Sequence, residues 1–140
     1  MLFKKILVAV DGSEHAHKAA KYARGMARTQ GAELTLFHCP GHIPTLIGGT
    51  AREELQRELE SEGRKIVEKY QDLCEGLNVC FNIIVRVGDA ANEIIRYAEE
   101  NGVDLIVMGS RGLSDLEGMF LGSVSHHVLQ RTCCPVLIIR

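Results

Sequence analysis

The sequence lacks an excess of charge of either sign. Its sixteen lysines and arginines face eighteen aspartates and glutamates, a formal net charge of −2 over 140 residues. That balance gives no global field with which to attract nucleic acid or an anionic membrane, and neither is expected as a partner. Long apolar runs are missing too, since no stretch approaches the ~20 residues needed to cross a bilayer. The N-terminal run Ile6-Leu7-Val8-Ala9-Val10 stops at Asp11 after five residues, short of the roughly 7–15 of a secretory signal. The five cysteines, Cys39, Cys74, Cys80, Cys133 and Cys134, are odd in number and lack C-x-x-C spacing, which fits reduced thiols and a cytoplasmic location. No linker or internal repeat divides the chain, so residues 1–140 read as one domain. A domain of this length hides about 68–70% of its unfolded surface without metal or disulfide staples.

What is present is an ordinary globular composition, 46% apolar and 24% charged, arranged in alternating patterns. Ile6 to Val10 is continuously apolar, as in a strand covered on both faces. Past the Asp11-Gly12-Ser13 turn, with Ser13 as N-cap, Ala16, Ala19, Ala20, Ala23, Met26 and Ala27 recur at helical spacing as far as Gly31. That pattern predicts a helix over 14–30. Leu34 to His38 predicts a second strand and residues 40–50 a long loop. Leu55, Leu59, Ile66, Tyr70 and Leu73 predict a long helix whose other face, over 52–69, is charged and solvated. Residues 79–87 alternate as a half-exposed edge strand. A helix follows from Gly88-Asp89 to Gly102, then a buried strand over 103–108, a helix containing Val124, Val128 and Leu129, and a last strand over 135–139. The alternation predicts a doubly wound α/β fold with a mainly parallel sheet.

Ligands of such folds bind beyond the carboxyl ends of the strands, where strand order reverses. Two turns are candidates there, Asp11-Gly12-Ser13 and the segment after the fourth strand. In the latter, Gly109, Gly112, Gly118 and Gly122 fall within fourteen positions. Glycines let backbone N–H groups approach a phosphate closely, and a helix N-terminus adds unpaired donors and a favourable dipole. The spacing is not G-x-x-x-x-G-K-[ST], and no lysine occurs between Gly109 and Arg140, which excludes a P-loop mechanism. G-x-G-x-x-G is also absent after the first strand, so the standard dinucleotide fingerprint is excluded.

Gly109-Ser110-Arg111-Gly112, nine residues, then Gly122-Ser123 resembles the G-x2-G-x9-G-[ST] motif of the ATP-binding universal stress proteins. The likeness runs from Ile6-Leu7-Val8-Ala9-Val10-Asp11-Gly12-Ser13, through Val103 to Gly112, to Cys134-Pro135-Val136-Leu137-Ile138-Ile139. It implies a five-stranded sheet of order 3-2-1-4-5 with ATP as the ligand. By the same resemblance Ala9, Val10 and Cys39 line the base pocket with Met108 close by. Asp11 lies near the adenine or ribose, and Gly109, Gly112, Gly122, Ser123 and Val124 surround the ribose and phosphates. Ordinary turn and cap chemistry is the alternative account of Asp11 and Ser123. Arg111 is the one nearby cation. Asp115 and Glu117, in the spacer, repel a triphosphate unless they point outward or share Mg²⁺, so Mg²⁺ is expected with ATP and tight affinity is not. The apolar last strand would be an open edge in that order. A homodimer pairing it with its own copy, which the resemblance also implies, would cover it.

Other residues carry less. His15 and His17 are expected on a polar helix face, His38 and His42 as solvated loop residues, and His126 and His127 point about 100° apart, so no metal site is expected. Cys133 and Cys134 are expected to pack rather than to bridge. No nucleophile and base occur at a recognisable spacing. The leading reading is an ATP-binding stress-response regulator. A dimeric interaction module without nucleotide comes second, and a slow ATP hydrolase last.

Overall fold

The computed structural model describes residues 3–113 and 120–140. In chain order its elements are β1 (Lys5–Ala9), α1 (Glu14–Gln30), β2 (Glu33–His38), α2 (Gly49–Cys74), β3 (Phe81–Val85), α3 (Ala90–Asn101), β4 (Leu105–Gly109), α4 (Ser123–Arg131) and β5 (Val136–Ile139). The strands form a parallel sheet in the order β3-β2-β1-β4-β5, the doubly wound order that the resemblance implies.

The central strands do not alternate in polarity because both their faces are covered. Ile6 and Val8 of β1 pack with Ala16, Ala23, Val67 and Tyr70 of α1 and α2. Leu7, between them, packs with Phe37, Ile94 and Val128 on the side of α3 and α4. The period-two geometry of a strand thus serves two cores at once. Each fully buried aliphatic side chain contributes roughly 1.5–3 kcal/mol relative to exposure.

Helix α1 is bounded as its sequence predicts. Ser13 Oγ accepts from the Ala16 N–H at 3.2 Å, and Gly31 at φ +66° adopts the left-handed cap whose N–H donates to the Ala27 carbonyl. Its alanine stripe lets the helix lie close to the sheet. Helix α2 departs from expectation at its start, because Gly49, assigned above to the loop, is already helical. No residue of 49–62 is buried, and Leu55 and Leu59 are only half-buried. The helix meets the sheet from Gly63 onward, where an added Cβ would lie 2.8 Å from Val85 Cγ1. Strand β3 is half-buried at one edge of the sheet, as its alternation predicts, but spans Phe81–Val85 rather than 79–87. Strand β5 forms the other edge.

Strands β1 and β4 are neighbours, but the chain leaves them in opposite directions, from β1 through α1 to β2 and from β4 through α4 to β5. The two loops therefore diverge over opposite faces of the sheet and leave a cleft at the carboxyl ends of these strands.

Candidate functional site

The turn after β1 is clamped from three sides. Asp11 Oδ1 accepts from the Ser13 N–H at 2.9 Å, and Oδ2 accepts from the Leu113 N–H at 3.2 Å, across to the loop that follows β4. Gly12, at φ +87°, occupies a conformation that other residues rarely adopt, and its N–H donates to Tyr70 Oη at 3.0 Å. Burial pushes the Tyr70 phenol above its ordinary range, so it stays protonated. Asp11 therefore performs turn chemistry and also ties one loop to the other.

The loop after β4 is closed by its own backbone. The Ser110 N–H donates to the Ile139 carbonyl at 2.8 Å, and the Ser110 carbonyl accepts from the Gly122 N–H. Ser125 Oγ donates to the same carbonyl at 3.3 Å. These bonds pin the start of α4 beside the end of β4. Gly122 is the N-cap of α4 and has no side chain with which to cap its first turn, where N–H groups lack intrahelical acceptors. Its φ of −73° is ordinary, so its backbone conformation does not call for glycine.

Between the two loops lies a pocket. Ala9, Val10, Asp11, Cys39, Met108, Gly109, Arg111, Gly112, Ser123 and Val124 all line it, each a site residue expected from the sequence. Gly122 is not part of the lining but is buried behind it, bonded to Ser110. Asp115, Glu117 and Gly118 lie outside the described residues. Sequence reasoning missed Ala16, Phe37, Ala90, Ile94 and Ser125, which also line the pocket. No motif marks them. Phe37 arrives through its register opposite Ala9, and Ala90 and Ile94 through the packing of α3. The lining combines apolar side chains with Arg111, Ser123 and the start of α4, so the pocket can bury a flat apolar group and hold an attached anion, while the Asp11 carboxylate suits a hydrogen-bond donor rather than the anion.

Two histidines are placed otherwise than expected. His15 does not face solvent but is half-buried, with Nδ1 2.9 Å from Ser110 Oγ. His38 ends β2, as the strand predicted over Leu34 to His38 places it, but it is 4% exposed rather than solvated. Its Nδ1 lies 2.7 Å from the Val10 carbonyl, which can only accept, so Nδ1 carries the proton. Its Nε2 is buried without a hydrogen-bond partner among the described residues. Burial lowers the His38 pKa, opposed in part by the Val10 carbonyl and the Asp11 charge. In the unfolded chain the imidazole has its ordinary value of about 6.5. Stability from this group is therefore complete above about pH 6.5 and falls as pH drops toward the lowered folded value, by up to ~1.4 kcal/mol per pH unit. His38→Asn, which keeps a donor near Nδ1 but does not titrate, is expected to flatten that acid slope in urea denaturation. An equally steep slope in the variant would contradict this.

Cys39 Sγ donates to the Gly88 carbonyl at 2.9 Å. Burial pushes the thiols of Cys39, Cys74 and Cys134 up, which keeps them protonated and unreactive. All five cysteines are free. Among the described residues, no group of three or more His, Cys, Asp or Glu side chains could hold a metal ion, and no helix is long and apolar enough to cross a membrane.

Comparison with known proteins matches this geometry to one family. The model of the Universal stress protein family matches residues 2–140. Universal stress protein YxiE of Bacillus subtilis is 39% identical, over 99% of this chain and 100% of the relative. The solved structure of MJ0577 from Methanocaldococcus jannaschii superposes with a TM-score of 0.86 at 31% identity, covering 99% of this chain and 96% of its own. A crystal structure of a universal stress protein in complex with cAMP has a TM-score of 0.76 at 25% identity, with 100% and 99% covered.

Proposed function

Because this chain belongs to the universal stress protein family, we propose that it binds an adenine nucleotide, ATP with Mg²⁺, in the cleft between the ends of β1 and β4. The observation that carries this reading is the pairing of an apolar pocket with the N-terminus of α4, whose N-cap residue Gly122 supplies no side-chain cap. The base lies among Val10, Phe37, Cys39, Ile94 and Met108, with Ala9 beside it. Asp11 faces the base or ribose. Gly109, Arg111, Gly112, Gly122, Ser123 and Val124 surround the ribose and phosphates, where backbone N–H groups and a helix dipole replace the lysine that a P-loop would use. A relative solved with cAMP supports an adenine nucleotide as the ligand class.

Residues 1–140 act as one domain, a cytoplasmic stress-response regulator rather than a dedicated catalyst, and two copies pair through their β5 edges. Sedimentation as a monomer at micromolar concentration would remove the dimer from this reading. A nucleotide-free interaction module is the second reading, favoured by Asp115 and Glu117 in the spacer sequence.

Titration calorimetry with ATP and Mg²⁺ tests the proposal. The wild type is expected to bind, and Gly122→Ala to bind more weakly, because it sets a methyl group at the N-cap of α4, where the phosphates are proposed to approach, without straining a φ of −73°. No binding heat from the wild type would move the assignment to the interaction module. Linear release of phosphate would revive the slow hydrolase.

A further inference from the structure

Arg111 is the one lysine or arginine lining the pocket among the described residues, and what holds it is not part of the glycine motif. Its Nη2 lies 3.2 Å from His15 Nε2, at the start of α1. A guanidinium has donors only, so Nε2 must accept. The neutral ring then carries its proton on Nδ1 and donates it to Ser110 Oγ, 2.9 Å away. Ser110 is itself anchored through its N–H to Ile139 and its carbonyl to Gly122. The imidazole is thus held at both nitrogens and offers a fixed acceptor to Arg111. It reaches this place because Gly109 has no Cβ, which would stand 2.7 Å from His15 Cβ.

A free arginine side chain loses rotamer entropy when an anion immobilises it, and one ordered beforehand loses less. We propose that His15 is a positioning residue that pre-orients Arg111 toward the phosphate chain of the bound nucleotide. The proposal rests on the nucleotide reading above. It connects the first turn of α1 to phosphate recognition without placing His15 in contact with the ligand.

Two substitutions separate the two ring nitrogens. His15→Gln places an amide oxygen near the Nε2 position and keeps an acceptor for Arg111. His15→Asn keeps a donor near Nδ1 for Ser110 but withdraws that acceptor. Affinities for ATP and for adenosine are measured by calorimetry on each variant. His15→Asn is expected to weaken ATP by about tenfold, the scale of one hydrogen bond to a charged group, and to leave adenosine unchanged. His15→Gln is expected to retain most ATP affinity. In an Arg111→Ala background, His15→Asn is expected to have no further effect, because it acts through the missing guanidinium. Equal weakening of ATP and adenosine would mean that His15 only packs, and a loss of ATP affinity in the double variant beyond that of Arg111→Ala would mean that it acts by another route. Either result overturns the proposal while leaving the nucleotide reading intact. A wild type that binds neither compound overturns both.

Discussion

Replacing Gly109 with alanine is expected to destabilise the ligand-free protein by about 2–3 kcal/mol. The melting temperature should fall by roughly 6–12 °C for a chain of this length. A Cβ at Gly109 would lie 2.7 Å from His15 Cβ, 2.8 Å from the His15 carbonyl carbon and 3.1 Å from the Ala16 nitrogen. Two of these atoms are backbone, so no rotamer change relieves the clash. The end of β4 and the first turn of α1 must part instead. That movement would also pull His15 from Ser110 and disturb the cap that Ser13 provides to Ala16. Thermal and urea denaturation without nucleotide decide the matter. A glycine needed only for the approach of a ligand would leave ligand-free stability unchanged and weaken binding alone, and that outcome would refute the packing account.

Phe37→Ala carries the second large effect, a loss of about 3–5 kcal/mol. Phe37 is 1% exposed and lies between Ala9 and Ile84 in the sheet. Its ring packs against Tyr97 with centroids 5.5 Å apart, and it forms part of the pocket wall. Truncation leaves a cavity that the rigid sheet beneath cannot close, and widens the pocket at the same time. Phe37→Leu keeps most of the volume and is expected to cost less than about 1.5 kcal/mol. Urea unfolding followed by circular dichroism measures both. Similar midpoints for the two variants would show that cavity volume is not what matters at this position.

The elements of this protein were legible because their signals are local. The unbroken run Ile6 to Val10 marks a strand with two covered faces, and Ser13 and Gly31 mark the ends of α1 through cap chemistry that acts over three or four residues. Gly49 is helical although a glycine beside another glycine reads as loop, and the N-cap residue Gly48 has no side chain with which to announce the start of α2. The glycines after β4 are conspicuous as a cluster. Their division of labour is not: Gly109 makes room for α1, whereas Gly122 stands at the N-cap position of α4 and bonds to Ser110.

The histidines show where local reading stops. His15 follows Glu14 and precedes Ala16 near the start of an amphipathic helix, and nothing in that neighbourhood distinguishes a solvated imidazole from one pointed at a loop. Its partner Ser110 is 95 positions away, and the bond from Leu113 to Asp11 spans 102. His38 ends its strand as the sequence predicts, but the approach of α2 at Gly63, which no neighbouring residue announces, is what encloses it.

The sequence alone determined the order of strands and helices, the caps of α1 and the glycine spacing that identifies the family, because periodicity and turn chemistry act over a few residues. Only the tertiary structure decided that Phe37, Ile94 and Ser125 wall the pocket, that Asp11 ties two loops together, and that His15 holds Arg111. These contacts depend on which strands lie side by side and how closely a helix can approach them, and both follow from packing the whole chain at once.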